Sequence, residues 1–400
     1  MIIIKKYCKT INITDRTLIS KATYKCLSNK YKRNDTLNLF SDISGLSKNQ
    51  LYYICKHYGK KTLFPIVEIL IDIIQTELLE KDIHFIQIWY KDKADPSSGK
   101  IRHIGIQNVK QQIYDYIAIE GLKPFFCRIG SHQYASIKGR GQIAGARQIS
   151  RWMRNKSLKY YAKLDIKKCY PSIPQDQLMQ FLSRHIKNDM LLWLIRKLIE
   201  TFNEGGLSIG SYLSQFLCNL YLSQLYHNIG HYHKIRKHKN GTVENIRLVS
   251  HRLFYMDDIL LIGTSLKNIQ QAIKYIIKNA SEIGLKIKEN WFTRKIPCKD
   301  RKHETEFIDM MGIRIYRTHL TIRKRVFKKI RRVCIRLYRL WKTHQKIPIR
   351  LARKMISYHG LVKNTDSYKI KKKYHVDKIM QLSKGVVRNE STFYVRTTVC

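Results

Sequence analysis

Two adjacent aspartates, Asp257 and Asp258, stand in RLFYMDDILLIG (residues 252 to 263) between two apolar runs that a folded chain would bury. Apolar runs flanking a short polar break read as a tight β-hairpin with both carboxylates at its turn. Like charges held there repel each other and lose hydration, so they require compensation. A divalent metal supplies it, because Mg²⁺ prefers carboxylate and phosphate oxygens, and a two-metal site takes carboxylates from separate segments. The second segment is YYAKLDIKKCYPSI, whose single acidic residue, Asp165, ends an apolar strand. The bland alternative is a solvated hairpin tip and an aspartate capping a turn.

The rest of the chain is strongly basic. Lys and Arg number 76 against 29 Asp and Glu, a formal charge of +47 spread along the sequence rather than gathered in one tail. With 44% hydrophobic residues, 25 Tyr and 13 Phe, the chain has material for a core, so the charge does not mark disorder. Such a surface seeks a polyanion, and nucleic acid is the commonest, since each neutralised phosphate releases a counterion. A membrane competes for the same charge, but no stretch approaches the roughly 18 apolar residues of a spanning helix. The partner expected is nucleic acid, with no membrane. The opening MIIIKKYCKTI is too short for a secretory signal, and the nine cysteines include no C-x-x-C pair and read as reduced thiols. The expected location is the cytoplasm.

Along the chain, LSKNQLYYICKHYGKKTLFPIVEILIDIIQTELL reads as two helices, and IHFIQIWYKDKADPSSGKIRHIGI as a β-hairpin carrying Lys100 and Arg102 on its tip and second strand. VKQQIYDYIAIEGLKPFF is a helix ended by Pro124. A basic loop follows, with Gly139, Gly141 and Gly145 among Lys138, Arg140 and Arg147, where backbone and cations could both approach phosphate. The strand bearing Asp165 closes in a turn at Pro171, and SYLSQFLCNLYLSQLYH repeats apolar residues at helical spacing after the glycine-rich NEGGLSIG. FIDMMGIRIYRTHLTI reads as a strand pair. From residue 321 a helix places Val326, Ile330, Val333, Leu337 and Leu340 on one face and mostly Arg and Lys on the other. HNIGHYHKIRKHK holds His227, His231, His233 and His238, but Gly230 intervenes and no Cys or acidic residue is near, so it reads as a nucleic-acid-facing loop ahead of a metal site. This order describes an α+β chain around an antiparallel sheet.

Together these motifs resemble the reverse transcriptase family, from about residue 85 to about 370. YMDD (Tyr255 to Asp258) resembles the metal-binding hairpin of that family's palm, and LDIKKCY its first palm motif. The resemblance implies Asp165, Asp257 and Asp258 as catalytic metal ligands for two Mg²⁺ ions, with Mn²⁺ as a substitute, and Tyr170 as the aromatic that excludes ribonucleotides. GLSIGSYLSQ resembles the motif lining the templating pair, through Ile209, Gly210, Ser214 and Gln215. Most relatives carry Gln and Pro where this chain has Ile209 and Gln215, and the departure resembles the reverse transcriptases of diversity-generating retroelements and related bacterial lineages. Lys100 and Arg102 match cations that hold the triphosphate, and Lys288 in GLKIKENW, ahead of Lys286, a lysine near the leaving pyrophosphate. Arg140 matches a finger residue on template or nucleotide, Gly312 a close approach of the primer in the primer-grip motif, and Arg325, Lys329 and Arg332 a thumb face along the duplex.

The implied architecture is an α+β right-hand polymerase. Residues 1–84 would extend the fingers, 85–155 form the fingers, 156–318 the palm with its antiparallel sheet, and 319–400 a basic helical thumb and tail. The implied activity is RNA-directed DNA synthesis on an RNA template with a DNA or RNA primer and dNTPs, at low fidelity, with a structured non-coding RNA and an accessory protein as partners. The alternatives are a defence-associated enzyme copying a partner RNA and a non-catalytic RNA scaffold of the same fold.

Overall fold

In this computed structural model residues 5–94, 99, 101–296 and 307–396 are described, with side chains through residue 388. The chain divides into two compact units interleaved in sequence. Residues 1–133, 164–232 and 273–290 make one, and residues 134–163, 233–272 and 291–400 the other.

Four helices open the first unit: α1 (Arg16–Leu27), α2 (Asn34–Ser44), α3 (Lys48–His57) and α4 (Phe64–Glu80). Their starts follow from local chemistry. The Asp15 carboxylate accepts from Leu18 N–H at 3.0 Å, Ser47 and Gln50 form a reciprocal capping box, and Pro65 sits in the first turn of α4. The two expected helices are α3 and α4, and the basic stretch before them holds two more. β1 (Trp89–Ala94) and β2 (Ile101–Ile106) pair antiparallel, with Lys93 opposite Arg102. Lys100 lies outside the described residues. The helix α5 (Val109–Leu122) follows, and a tight helical turn over Lys123–Arg128 contains Pro124.

The middle of the chain alternates strands and helices: β3 (Gln133–Tyr134), α6 (Gln142–Met153), β4 (Tyr160–Asp165), α7 (Cys169–Ser172), α8 (Gln175–His185), α9 (Asp189–Ile199) and α10 (Tyr212–His231). Then come β5 (His233–Lys237), β6 (Val243–Arg247), β7 (His251–Tyr255), β8 (Asp258–Gly263), α11 (Leu266–Glu282) and β9 (Phe292–Lys295). The last part holds β10 (Ile308–Met310), β11 (Ile313–Ile315), β12 (Leu320–Ile322), α12 (Lys324–Lys342), α13 (Ile349–Lys363), α14 (Tyr368–Lys373) and α15 (Val376–Arg396).

Among the described residues three further sheets form: one of order β3-β7-β8-β4-β9, the ribbon β10-β11-β12, and the pair β5-β6. Ile149 and Met153 of α6 are buried against Leu253, Leu260 and Ile262 of the β7–β8 hairpin and Ile308, Ile313 and Ile315 of the ribbon. A second core joins Ile330, Cys334 and Leu337 of α12 to Met355, Val376 and Ile379. The apolar face expected of the 321–343 helix is the face α12 buries, with Val326 and Leu340 at its partly buried edge. In the first unit α5 is buried nearly all round, through Ile113, Tyr114, Ile117, Ala118 and Leu122.

Four local expectations need correction. Gly145 is not in a loop but within α6, where the Met311 Sδ packs so close that a Cβ would collide with it. Pro171 lies inside the short helix α7, and the turn after β4 is made by Lys167 and Lys168 instead, with Lys168 at φ 46°. The segment FIDMMGIRIYRTHLTI has three strands rather than two, because Leu320–Ile322 pairs with β11. The histidine-rich stretch is no loop. His227 and His231 end α10, where His227 Nε2 lies 2.8 Å from the Arg128 carbonyl, and His233 begins a hairpin. Among the described residues no helix is long and apolar enough to cross a membrane.

Candidate active site

The β7–β8 hairpin is built as its sequence implies. Leu253, Phe254 and Ile259 to Ile262 are buried, Tyr255 pairs with Asp258, and Met256 and Asp257 make the turn. Met256 takes a left-handed φ of 52°. That conformation is strained for a residue with a side chain, and burial of the methionine holds it in place. Asp257 and Asp258 are both half-buried. Lys163 Nζ, projecting from β4, sits 3.4 Å from Asp258 Oδ1 and donates to the Asp309 carbonyl at 3.2 Å. The neighbouring Tyr255 hydroxyl has its pKa pushed up by burial and by the Asp258 charge.

In the first unit, Asp165 ends β4 half-buried, and the Lys288 ammonium forms an ion pair with its Oδ1 without the alignment of a hydrogen bond. The backbone repeats the association: Lys288 N–H donates to the Asp165 carbonyl at 2.8 Å, and Ile166 bridges Ile287. Lys286 contributes only its carbonyl there, accepting from Lys167 N–H at 2.8 Å. Tyr170 lies half-buried in α7, and its carbonyl accepts from Leu207 N–H at 2.9 Å, tying α7 to the segment before α10.

That segment is set against β2. Gly105 N–H donates to the Ile209 carbonyl at 2.7 Å, and Gly210, at φ 129°, lies so close that a Cβ there would strike the Gly105 carbonyl oxygen. Ile209 and Gln215 are half-buried, and Ser214 is buried in the first turn of α10. The start of α10 is held by Asp115, a fully buried carboxylate of α5 that accepts from Ser211 Oγ at 2.8 Å, Tyr212 N–H at 3.1 Å and Leu213 N–H at 3.2 Å. Burial pushes its pKa up to about 6 despite these donors. Asp115 was not among the sequence candidates. Its signal was a carboxylate among residues that a helix buries. Also on β2, His103 bridges Asp92 of β1 at 2.6 Å and Glu204 at 2.8 Å and stacks on Tyr90. Arg102 is exposed on β2.

In the second unit, Arg140 is half-buried in the loop before α6. Met311 and Gly312, at φ 56° and 75°, form the two-residue turn of the β10–β11 hairpin, the geometry that favours glycine. Gln142 donates to the Met311 carbonyl, and Arg323 N–H to the Gly312 carbonyl at 3.1 Å. Arg325 and Arg332 are exposed and Lys329 half-exposed, all on the polar side of α12.

Among the described residues no group of three or more His, Cys, Asp or Glu side chains is gathered to hold a metal ion. Lysine ammoniums instead neutralise Asp165 and Asp258. The donor chemistry nevertheless fits: carboxylate oxygens are the ligands that hard divalent cations prefer, and such a cation would take over the charge compensation those lysines now provide.

Residues 91–308 match the family of reverse transcriptases, RNA-dependent DNA polymerases, and with more than half its length matched the chain belongs to that family. Its elements are of the mixed α+β kind, and the family's reaction is nucleotidyl transfer, RNA-dependent DNA synthesis that generally uses divalent metal ions. A fission yeast (Schizosaccharomyces pombe) protein, an uncharacterized 91 kDa protein in the cob intron, is 29% identical over 143 residues, which is 33% of this chain and 17% of that protein. The chain thus matches less than a fifth of that relative's length. Solved structures that resemble it include the apo telomerase of Candida tropicalis (TM-score 0.38, 14% identity, 58% of this chain and 54% of that one). Another is the telomerase of Candida albicans in complex with a fragment of telomeric RNA (TM-score 0.41, 12% identity, 79% and 65%).

Proposed function

We propose that this protein is an RNA-directed DNA polymerase whose catalytic carboxylates are Asp165, Asp257 and Asp258. The observation that carries the reading is the hairpin: Asp257 occupies its turn, Asp258 opens β8, and the next strand in the sheet, β4, ends in Asp165. The three carboxylates would hold two divalent ions, Mg²⁺ or Mn²⁺, whose chemistry is to lower the pKa of the primer 3′-hydroxyl and to neutralise the leaving pyrophosphate. Lys163 and Lys288 hold the carboxylates oriented and balance their charge. Tyr170 faces the sugar, while Ile209, Gly210, Ser214 and Gln215 shape the nucleotide pocket that Asp115 keeps in position. Lys100 and Arg102 grip the triphosphate, Arg140 the template, Gly312 the primer, and Arg325, Lys329 and Arg332 the duplex. Residues 1–84, 85–155, 156–318 and 319–400 serve as finger extension, fingers, palm and thumb.

The test is primer extension on an RNA template. Asp257→Ala should lower the rate by at least about 10³-fold, the scale of losing a group that stabilises transition-state charge. Extension at the parental rate would remove the assignment, and an inactive parent would favour the RNA scaffold.

The finer reading is a low-fidelity, diversity-generating bacterial enzyme working with a structured non-coding RNA and an accessory protein. It is supported by Ile209, whose side chain has no amide to hydrogen-bond near the nucleotide and so leaves base-pair geometry loosely policed. Ile209→Gln should then lower misincorporation several-fold, and unchanged error frequencies opposite template adenine would count against this cause. A second reading, an intron-borne enzyme copying its host RNA, is favoured by the protein in the cob intron. Sequencing of the cDNA made in cells separates them, since intron-primed copies, repeat-templated mutated copies and infection-induced copies differ in sequence.

A further inference from the structure

The hairpin β5–β6 takes no part in the site above. Among the described residues it forms a two-stranded sheet by itself, and its tip closes through His238 N–H to the Thr242 carbonyl at 2.9 Å and the Asn240-Gly241 turn. A hairpin of two strands is marginal in water without a hydrophobic face to pack. This one instead turns Ile235 and Val243 outward at 64% and 60% exposure. The register puts His233, Ile235 and Lys237 on one face with their partners Arg247, Asn245 and Val243. That face is therefore an exposed apolar pair flanked by cations.

Charge reinforces the pattern. The single acid of the hairpin, Glu244, is already engaged by His238 at 3.2 Å and Arg236 at 3.8 Å. Lys234, Lys237, Lys239 and Arg247 form no ion pair among the described residues, and all but Lys234 are exposed. Cations spaced along a strand, with small aliphatic side chains between them, suit a surface of regularly spaced phosphates and sugars. A wide, shallow minor groove of an A-form duplex presents both.

We propose that the β5–β6 hairpin is a second nucleic-acid contact, gripping the backbone of an A-form duplex that contains RNA, without reading its sequence. The choice of RNA rests on the polymerase reading, whereas the existence of the contact rests on the hairpin alone. The experiment measures binding of the full chain to a labelled RNA duplex by fluorescence anisotropy across a salt series, for the parent and for Lys234→Gln/Lys237→Gln/Lys239→Gln/Arg247→Gln. Each lost phosphate contact removes roughly 0.7 to 0.9 from the slope of log affinity against log salt, so the fourfold variant should be shallower by about 3 to 4, with its unfolding midpoint unchanged. An unchanged slope overturns the proposal. So does a loss confined to a DNA duplex, or a loss of binding to phosphatidylserine vesicles with RNA binding intact. Lys239→Glu alone, at the exposed tip, gives the same direction of change if the fourfold variant folds poorly. Primer extension on the same samples keeps the two ideas apart: a shallower slope in a chain that cannot polymerise would keep the hairpin contact and sink the catalytic reading.

Discussion

At the scale of single residues, the site rests on places where a side chain would not fit or would not be tolerated. Gly210, at φ 129°, lies against the Gly105 carbonyl with no room for a Cβ, and Gly105 in turn leaves none because the side chains of Ser208 and Ile88 press on it. Gly210→Ala should cost about 1–3 kcal/mol of stability, the usual penalty of forced overpacking, and raise the apparent KM for dNTP because the pocket wall shifts. Thermal unfolding and steady-state primer extension check this, and an alanine variant with the parent's midpoint and KM would show that the two segments are not held as described. The motif around Gly210 was readable in the sequence, yet its steric partner was not, since Gly105 lies in a different strand. The same holds for the acids. Asp257 and Asp258 announced themselves by standing between apolar runs, whereas Lys163 and Lys288 are two among 76 basic residues until folding sets them on carboxylates.

At the scale of elements, α10 illustrates how a helix is placed as well as formed. Its apolar spacing made it readable, and Ser211 caps its first turn, but its attachment to α5 depends on Asp115. Replacing that carboxylate by Asn keeps one oxygen for Ser211 Oγ, Tyr212 N–H and Leu213 N–H but sets an amide NH₂ against Gln107 Nε2, which now donates to Asp115 Oδ1 at 3.3 Å, at a cost of about 1–3 kcal/mol for a buried donor left unsatisfied. The pH dependence follows from linkage. Burial raises Asp115 from an unfolded value near 3.8 to about 6 in the folded chain, so the folded state binds the extra proton in that interval. The contribution of this group is fully present below about pH 4 and is lost as the pH rises through 6. The stability gap between the parent and Asp115→Asn should therefore be widest near pH 4 and narrow toward pH 6. Melting curves at a series of pH values check it, and a gap that widened over that range would contradict the raised pKa. The β5–β6 hairpin carries its own local signal, the Asn240-Gly241 dipeptide between two short runs, within a stretch whose histidines suggest a loop instead.

At the scale of the whole molecule, a formal charge of +47 sets the response to salt and to mutation alike. Neutralising one carboxylate barely alters it, so Asp257→Ala should bind RNA with the parent's salt dependence while losing synthesis, which separates chemistry from attraction. The alternation of apolar and polar residues, the helix-entry chemistry, the paired aspartates and the excess of cations are local or additive properties, and they determined the α+β class, most of the elements and the polymerase resemblance before any contact was known. Which lysine neutralises which aspartate, which glycine faces which carbonyl, and that Leu320–Ile322 joins β11 as a third strand depend on residues far apart in the chain. No short segment carries that information. Such pairings are selected by the exclusion of alternatives in a packed interior, where only one arrangement satisfies the backbone donors, buries the apolar faces and leaves each carboxylate a counter-charge, and the tertiary structure alone decides them.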